Sequence, residues 1–383
     1  MINRMVLNEV AYFGRGSRKE IVTEIIDRHY RKAFIVTDRG MIDSKNLSMI
    51  TGLLDKNIIL YEVYSDVKPN PTVENVMRGV LKFKGSAADV IIALGGGSAI
   101  DTAKAISIIA NNPEHEDVVS LDGLAKTRNK GVPIIALDTA FGTAAEVTMN
   151  YVITDTSRVK KMVCIDTHSV PIVSIIDEDL MDSMPKSLAA STGMDALTHA
   201  MEGYLNRGAW LITDMYHLNA IALIYKNLDK AVNEKDKNAV DSVAMGQYIA
   251  GMGFSNSGLG IVHSMAHALG AVYDIPHGLA NAIVLPHVMM FNGKVCPNLF
   301  RNMGSAMGLN MKEVTDNQAA TRVVNAINIL ERKLLIPRTL REVGVREEDL
   351  RVLAEKAYND ICTPGNVRKA SKEDILKLFK EIY

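Results

Sequence analysis

Along the first half of the chain, short β-rich runs alternate with amphipathic stretches. The runs are KAFIVTD (32–38), IILYEVY (58–64), ADVIIAL (88–94) and VPIIALD (132–138), and stretches such as 72–85 and 98–111 separate them. This rhythm predicts parallel strands joined by crossover helices. Wholly apolar runs such as VIIAL suit strands covered on both faces. From about residue 186 the strand signal fades, and Ala/Leu/Met-rich segments with a 3.6-residue period predict helices at 187–206, 210–228, 238–256, 260–273, 278–292 and 315–334. The shift falls near 178–186, where Pro185 punctuates DEDLMDSMPKS. The pattern predicts an α/β domain over 1–183 and an all-helical domain over 184–383.

A chain of 383 residues exceeds what one hydrophobic core usually supports, which agrees with two domains. Lys and Arg (43) nearly balance Asp and Glu (44), so the electrostatic footprint of a nucleic-acid or acidic-membrane binder is missing. A small-molecule substrate is the expectation. The segment MINRMVLNEVAYFG has no apolar run of signal-peptide type, and no stretch approaches eighteen uninterrupted apolar residues, so a cytoplasmic protein without a membrane partner is expected. Three widely spaced cysteines, Cys164, Cys296 and Cys362, make neither a disulfide framework nor a CxxC metal site. Any metal must use imidazoles and carboxylates.

In ADVIIALGGGSAIDTAKA (88–105) a buried strand runs into Gly95, Gly96 and Gly97 and then into a helix expected to open at Ser98. Glycines let a phosphate approach the backbone, and the helix N-terminus offers free N–H groups. The same turn could be purely structural. Asp38 ends the FIVTD run, where a carboxylate can accept from an adenosine ribose and repel a 2′-phosphate, favouring NAD; it could equally be an ordinary N-cap. A polar loop, 138–146, follows the next strand, and its hydroxyls could line a phosphate or ribose.

In TGMDALTHAMEGY (192–204), Asp195 and His199 stand four apart on a predicted helix, roughly 6 Å from each other on one face. A solvated ion pair is the ordinary reading, but Ala196, Leu197, Ala200 and Met201 make the segment apolar, and polar groups there need partners. GLGIVHSMAHALGAVYDIPHGLANA (258–282) adds His263, His267 and His277 out of nine histidines in all. One carboxylate and imidazoles suit a divalent transition ion. Helical spacing pairs His263 with His267 and leaves open which of the three is not a ligand. A nucleotide site and an open metal position together imply hydride transfer at an alcohol or carbonyl carbon. No GxSxG nucleophile motif competes, and Cys362 in DICTPGN has no His nearby in sequence.

GGGSAIDTAKA (95–105), GTAAEVT (142–148), TGMDALTHAMEGY (192–204) and GLGIVHSMAHALGAVYDIPHG (258–278), in that order, resemble the iron-containing, or group III, alcohol dehydrogenase family. NYVITD (150–155), RGAWLITD (207–214) and LPHVMMFN (285–292) extend the resemblance over nearly the whole chain. It implies a Rossmann-like parallel sheet followed by an all-α metal-binding domain, the dehydroquinate synthase-like fold. It also implies NAD(H)-linked interconversion of short aldehydes and alcohols such as lactaldehyde, propane-1,2-diol or ethylene glycol.

For the site, the resemblance implies Fe2+, or alternatively Zn2+, on Asp195, His199, His263 and His277, with His267 as the catalytic group beside nicotinamide and substrate. Cofactor contacts carry over to Asp38, Asn70, Gly96, Gly97, Ser98, Asp101, Thr139, Thr143, Asn150, Lys161 and Met184. The substrate pocket carries over to Asn150, Val152, Phe254, Leu259 and Cys362. A homodimer joined through the strand around Met5–Phe13 is a further implication.

One stretch departs from the family. Where PTTAGT is usual, this chain has Asp138, Thr139, Ala140, Phe141, Gly142 and Thr143. A charge at Asp138 and a lost hydroxyl at Ala140 predict weaker NAD binding, or an adenine stacked on Phe141. Two other readings stand beside the dehydrogenase: a dehydroquinate-synthase-like lyase, which needs a more basic site, and a metal- or nucleotide-binding protein without catalysis.

Overall fold

The computed structural model describes residues 2–125 and 127–383, which divide into a unit ending at Met184 and a unit from Pro185 to Tyr383. In the first, β1 (Val10–Phe13), β2 (Lys32–Asp38), β3 (Leu60–Val67), β4 (Val90–Gly95), β6 (Ile134–Asp138) and β9 (Val173–Ile176) form one parallel sheet in the order β1-β9-β6-β4-β2-β3. The hairpin β7 (Asn150–Asp155) and β8 (Lys160–Ile165), with the short β5 (Gly123–Leu124), makes a second sheet. Alternate residues of each central strand enter opposite cores: Phe34, Val36, Ile91 and Ala93 on one face, Ala33, Ile35, Val90 and Ile92 on the other. This two-sided burial is why the strands read as unbroken apolar runs. Helices α1 (Glu20–Asp27), α2 (Arg39–Asp43), α3 (Asn46–Lys56), α4 (Val73–Ser86) and α5 (Gly97–Asn111) complete the unit. The chain runs from β2 outward to β3 and returns on the other side of β2 as β4. The carboxyl ends of β2 and β4 therefore flank the switch point where open α/β sheets bind ligands.

Among its described residues the second unit has no strand. Its helices are α6 (Lys186–Leu205), α7 (Leu211–Asn233), α8 (Lys237–Ser257), α9 (Ile261–Tyr273), α10 (His277–Gly293), α11 (Pro297–Ala306), α12 (Asp316–Lys333), α13 (Leu350–Tyr358) and α14 (Lys372–Ile382). Every residue of α9 from Ile261 to Gly270 is buried, so its histidines lie in the interior. Helices α6, α7 and α8 lock together around His217. A Cβ on Gly203 or Gly253 would lie 2.2 or 2.3 Å from its ring, and burial pushes that imidazole down to about 3. No helix among the described residues is long and apolar enough to cross a membrane.

The structure also contains elements that periodicity did not indicate. Strands β1 and β9 are only four residues long, and β7 and β8 gain their regularity from pairing with each other. Helix α5 begins at Gly97 with Gly96 as its N-cap, one residue ahead of the expected start at Ser98.

Candidate metal centre and nucleotide-binding turn

In the second unit Asp195 and His199 lie one turn apart on α6, His263 lies on α9, and His277 opens α10 just after Pro276. One ligating atom of each falls within 4.8 Å of the others. Asp195 Oδ1 is 3.9 Å from His199 Nδ1 and 3.8 Å from Nε2 of both His263 and His277. These separations are too long for hydrogen bonds and suit groups arranged around a common ion. His263 Nε2, in a side chain only 1% exposed, has no hydrogen-bond partner among the described residues. Leaving such an atom unsatisfied costs about 1–3 kcal/mol. A divalent ion would satisfy it and offset the buried Asp195 charge, so the residues fit the group.

Supporting contacts hold this arrangement. Glu202 shares the inner face of α6 with Asp195 and His199, and its Oε2 lies 2.7 Å from His263 Nδ1. The same carboxyl accepts the N–H groups of Val262 at 2.7 Å and of Gly260 and His263 at 3.2 Å, at the start of α9. Burial pushes Glu202 up to about 7, against the pull of those three donors. With Nδ1 engaged, His263 turns Nε2 toward Asp195, the arrangement that metal-binding histidines use. Asn281 donates to Asp195 Oδ1 at 2.6 Å, and Phe254 stacks on His199 with ring centroids 4.2 Å apart.

His267 lies one turn beyond His263 and outside that set of four. Its Nδ1 is 2.9 Å from Asp360 Oδ2, and its ring stacks on His277 with centroids 5.4 Å apart. Helical spacing had paired His263 with His267; the structure instead groups His263 with His277, and His267 with Asp360 and Cys362. Burial raises Asp360, but the charge and hydrogen bond of His267 outweigh it and bring the carboxyl down to about 2. Burial, then Asp360 and Glu202, push the Cys362 thiol up. Leu259 is buried, and its carbonyl accepts from Asn206 at 2.6 Å.

In the first unit Asp38 closes β2 and accepts the N–H of Met41 at 3.2 Å, while burial raises its carboxyl. Gly95 closes β4 with φ at +145°, and a Cβ there would lie 3.1 Å from Asp38 Oδ2. A Cβ on Gly97 would meet Thr143 at 2.6 Å, so the turn packs this closely against Thr143 only with glycine. The N–H groups of Gly97 and Ser98 head α5 between these strand ends, which fits a pyrophosphate. Lys161 Nζ donates to Asn70 Oδ1 at 2.6 Å. Asp101 accepts the N–H of Val152 at 2.9 Å, which ties Val152 and the neighbouring Asn150 to α5. Thr139 is nearly buried, and Met184, also buried, closes the unit with its N–H on Met181 O.

The departing stretch behaves differently from its sequence reading. Asp138 is the last residue of β6 and is buried rather than exposed in a loop. Burial, then the Glu146 charge and a hydrogen bond with Glu146, raise its carboxyl well above the usual carboxylate range. The Phe141 ring is 1% exposed and offers no face for an adenine to stack on. Three residues near the site were not singled out from sequence: Glu202, Asp360 and Lys104. The i, i+4, i+7 spacing of Asp195, His199 and Glu202 in an apolar segment is a legible signal for the first.

Two family models match this chain: "Iron-containing alcohol dehydrogenase" over residues 8–178, and "Fe-containing alcohol dehydrogenase family, C-terminal" over residues 189–383. The chain belongs to the iron-containing alcohol dehydrogenase family. It is an oxidoreductase on that ground. Lactaldehyde reductase of Escherichia coli (strain K12) is 49% identical over 379 residues, 99% of each chain. NAD-dependent methanol dehydrogenase of Bacillus methanolicus is 38% identical over 372 residues, 96% of each. Among solved structures, a 1,3-propanediol oxidoreductase superposes with a TM-score of 0.96 at 36% identity, covering 100% of both chains.

Proposed function

We propose that this iron-type dehydrogenase interconverts short aldehydes and alcohols with NAD(H), with lactaldehyde and propane-1,2-diol as the principal pair. The observation that carries the reading is the convergence of Asp195, His199, His263 and His277 within 4.8 Å. The 49% identity to a lactaldehyde reductase supports the substrate. When bound, a divalent ion such as Fe2+ or Zn2+ polarises the substrate oxygen and NADH supplies the hydride.

The chain's own residues do the rest. Asp195 and the three imidazoles hold the cation. Gly96, Gly97 and Ser98 present N–H groups to the pyrophosphate, and Thr139 and Thr143 add hydroxyl donors beside them. Asp38 accepts from the ribose hydroxyls and repels a 2′-phosphate. Lys161, oriented by Asn70, supplies a cation to phosphate or ribose oxygens, while Asp101 and Met184 border the cofactor. In the helical unit, Phe254 and Leu259, with Cys362, restrict the substrate to short chains. His267 gives a proton to the nascent alkoxide during reduction and takes it back during oxidation. The edge position of β1 leaves one side of that strand without a strand partner in its sheet, which is compatible with a homodimer through Met5–Phe13; sedimentation would read the mass.

The test is NADH oxidation by anaerobically iron-loaded protein across lactaldehyde, glycolaldehyde, 3-hydroxypropanal and longer aldehydes. The highest kcat/KM is expected with lactaldehyde. No turnover with any short aldehyde overturns the reading, and a preference for NADPH overturns the role of Asp38.

A further inference from the structure

We propose that Asp360 is a positioning residue that holds His267 in one ring orientation and one tautomer, with hydrogen on Nδ1 and Nε2 kept as the proton-accepting nitrogen. His263 and His267 stand one turn apart on α9, and each sets Nδ1 against a carboxylate, 2.7 Å from Glu202 and 2.9 Å from Asp360. A carboxylate offers only acceptors, so the nitrogen that meets it carries the hydrogen. One device thus serves two tasks. In His263 the bare Nε2 faces Asp195; His267 is outside the four-ligand group, and its Nε2 is left to exchange a proton.

Asp360 is itself fixed from two directions. Its Oδ1 accepts the Cys362 N–H at 2.9 Å and the Ser264 hydroxyl at 3.3 Å, and Thr363 Oγ1 lies 2.8 Å from Ser264 Oγ. Ser264 belongs to α9 and Cys362 to the turn beyond α13, so α9 and a segment 93 residues further along the chain clamp one carboxylate.

The step rests on the function proposed above, and it balances. In oxidation the alcohol O–H proton passes to Nε2 and the carbon-bound hydride passes to NAD+, giving carbonyl, NADH and imidazolium; reduction runs in reverse. Asp360 stabilises the imidazolium without taking the proton.

Asp360→Asn tests this sharply. The Cys362 N–H demands an oxygen at the Oδ1 position, so the new amide NH2 must face His267 Nδ1. That nitrogen then becomes the acceptor and the tautomer inverts. The measurement is 15N NMR of histidine-labelled, zinc-loaded protein, with His267→Asn identifying the resonance. The expected result is Nδ1–H at His267 in the parent and Nε2–H in Asp360→Asn. Turnover of Asp360→Asn should fall about a hundredfold in kcat, with KM for NADH and metal content unchanged, and Asp360→Glu should recover part of it. Nε2–H in the parent, an unchanged tautomer in Asp360→Asn, or parental kcat in that variant overturns the proposal. A parent inactive on every short aldehyde refutes the function, while the tautomer still decides the role of Asp360.

Discussion

Replacing Glu202 by Gln changes one oxygen into an NH2 at the most constrained carboxyl of the metal centre. Oε1 takes the Val262 N–H at 2.7 Å, while Oε2 takes those of Gly260 and His263 and faces His263 Nδ1 at 2.7 Å. A glutamine has one acceptor. Its better orientation keeps the oxygen at the Oε2 position and turns NH2 toward the Val262 N–H, donor against donor. One buried N–H is orphaned at a cost of about 1–3 kcal/mol, which in a unit of this size lowers the thermal midpoint by roughly 2–12 °C. The weaker acceptor also holds His263 Nδ1–H less firmly, and losses of this kind weaken metal binding about 10–100-fold. Competition with a chromophoric chelator gives the metal Kd, and melts with and without metal give the linked stabilisation. Glu202→Asp, with both oxygens on a shorter stem, should fall between parent and Gln. If Glu202→Gln held the metal within about twofold of the parent, against the expected 10–100-fold, the carboxylate would not be setting His263.

Other outcomes follow from the same geometry. Gly97→Ala places a Cβ 2.6 Å from Thr143, so NADH binding followed by fluorescence should weaken at least about tenfold while metal content stays constant; unchanged affinity would place the cofactor elsewhere. Lys104 is fully buried, and its ammonium donates to Thr148 O, Thr148 Oγ1 and Asn150 O. Lys104→Met, which leaves these buried acceptors unsatisfied, should cost about 1–3 kcal/mol in urea unfolding and loosen the Asn150 segment; a loss no larger than a surface change would contradict this. Glu331 is 7% exposed, and burial pushes it from 4.5 up to about 8. Because the folded pKa is the higher one, its contribution is intact below 4.5 and drains away as pH climbs to about 8, with nothing further lost above. Glu331→Gln should therefore melt higher than the parent at pH 9 and show a smaller drop from pH 5; parallel profiles would refute the shift.

Much of the centre was readable from spacing, and the remainder depends on contacts that spacing does not carry. Asp195 and His199 announce themselves as a helix pair in apolar surroundings. The choice among His263, His267 and His277 is not local. The Pro276 turn brings His277 back on a new helix to group with Asp195, His199 and His263, while His267 groups with Asp360 and Cys362. Asp360 lies 93 residues from His267, beyond any periodic signal. Asp138 misled for a related reason: its character is set by burial and then by Glu146, and a buried pair reads in sequence as two surface charges. In the sheet, the long apolar strands were legible because burial on both faces leaves an unbroken pattern. The four-residue β1 and β9 draw their identity from the strands beside them.

His217, seated between Gly203 and Gly253, has a consequence for how this enzyme can be altered. The three positions behave as a single choice, because a methyl at either glycine needs a smaller side chain at 217, and a smaller side chain at 217 alone leaves a void between three helices. A library that samples one position at a time will reject every change at all three. Only paired replacements, such as His217→Ala with Gly203→Ala, give a route out of the present packing.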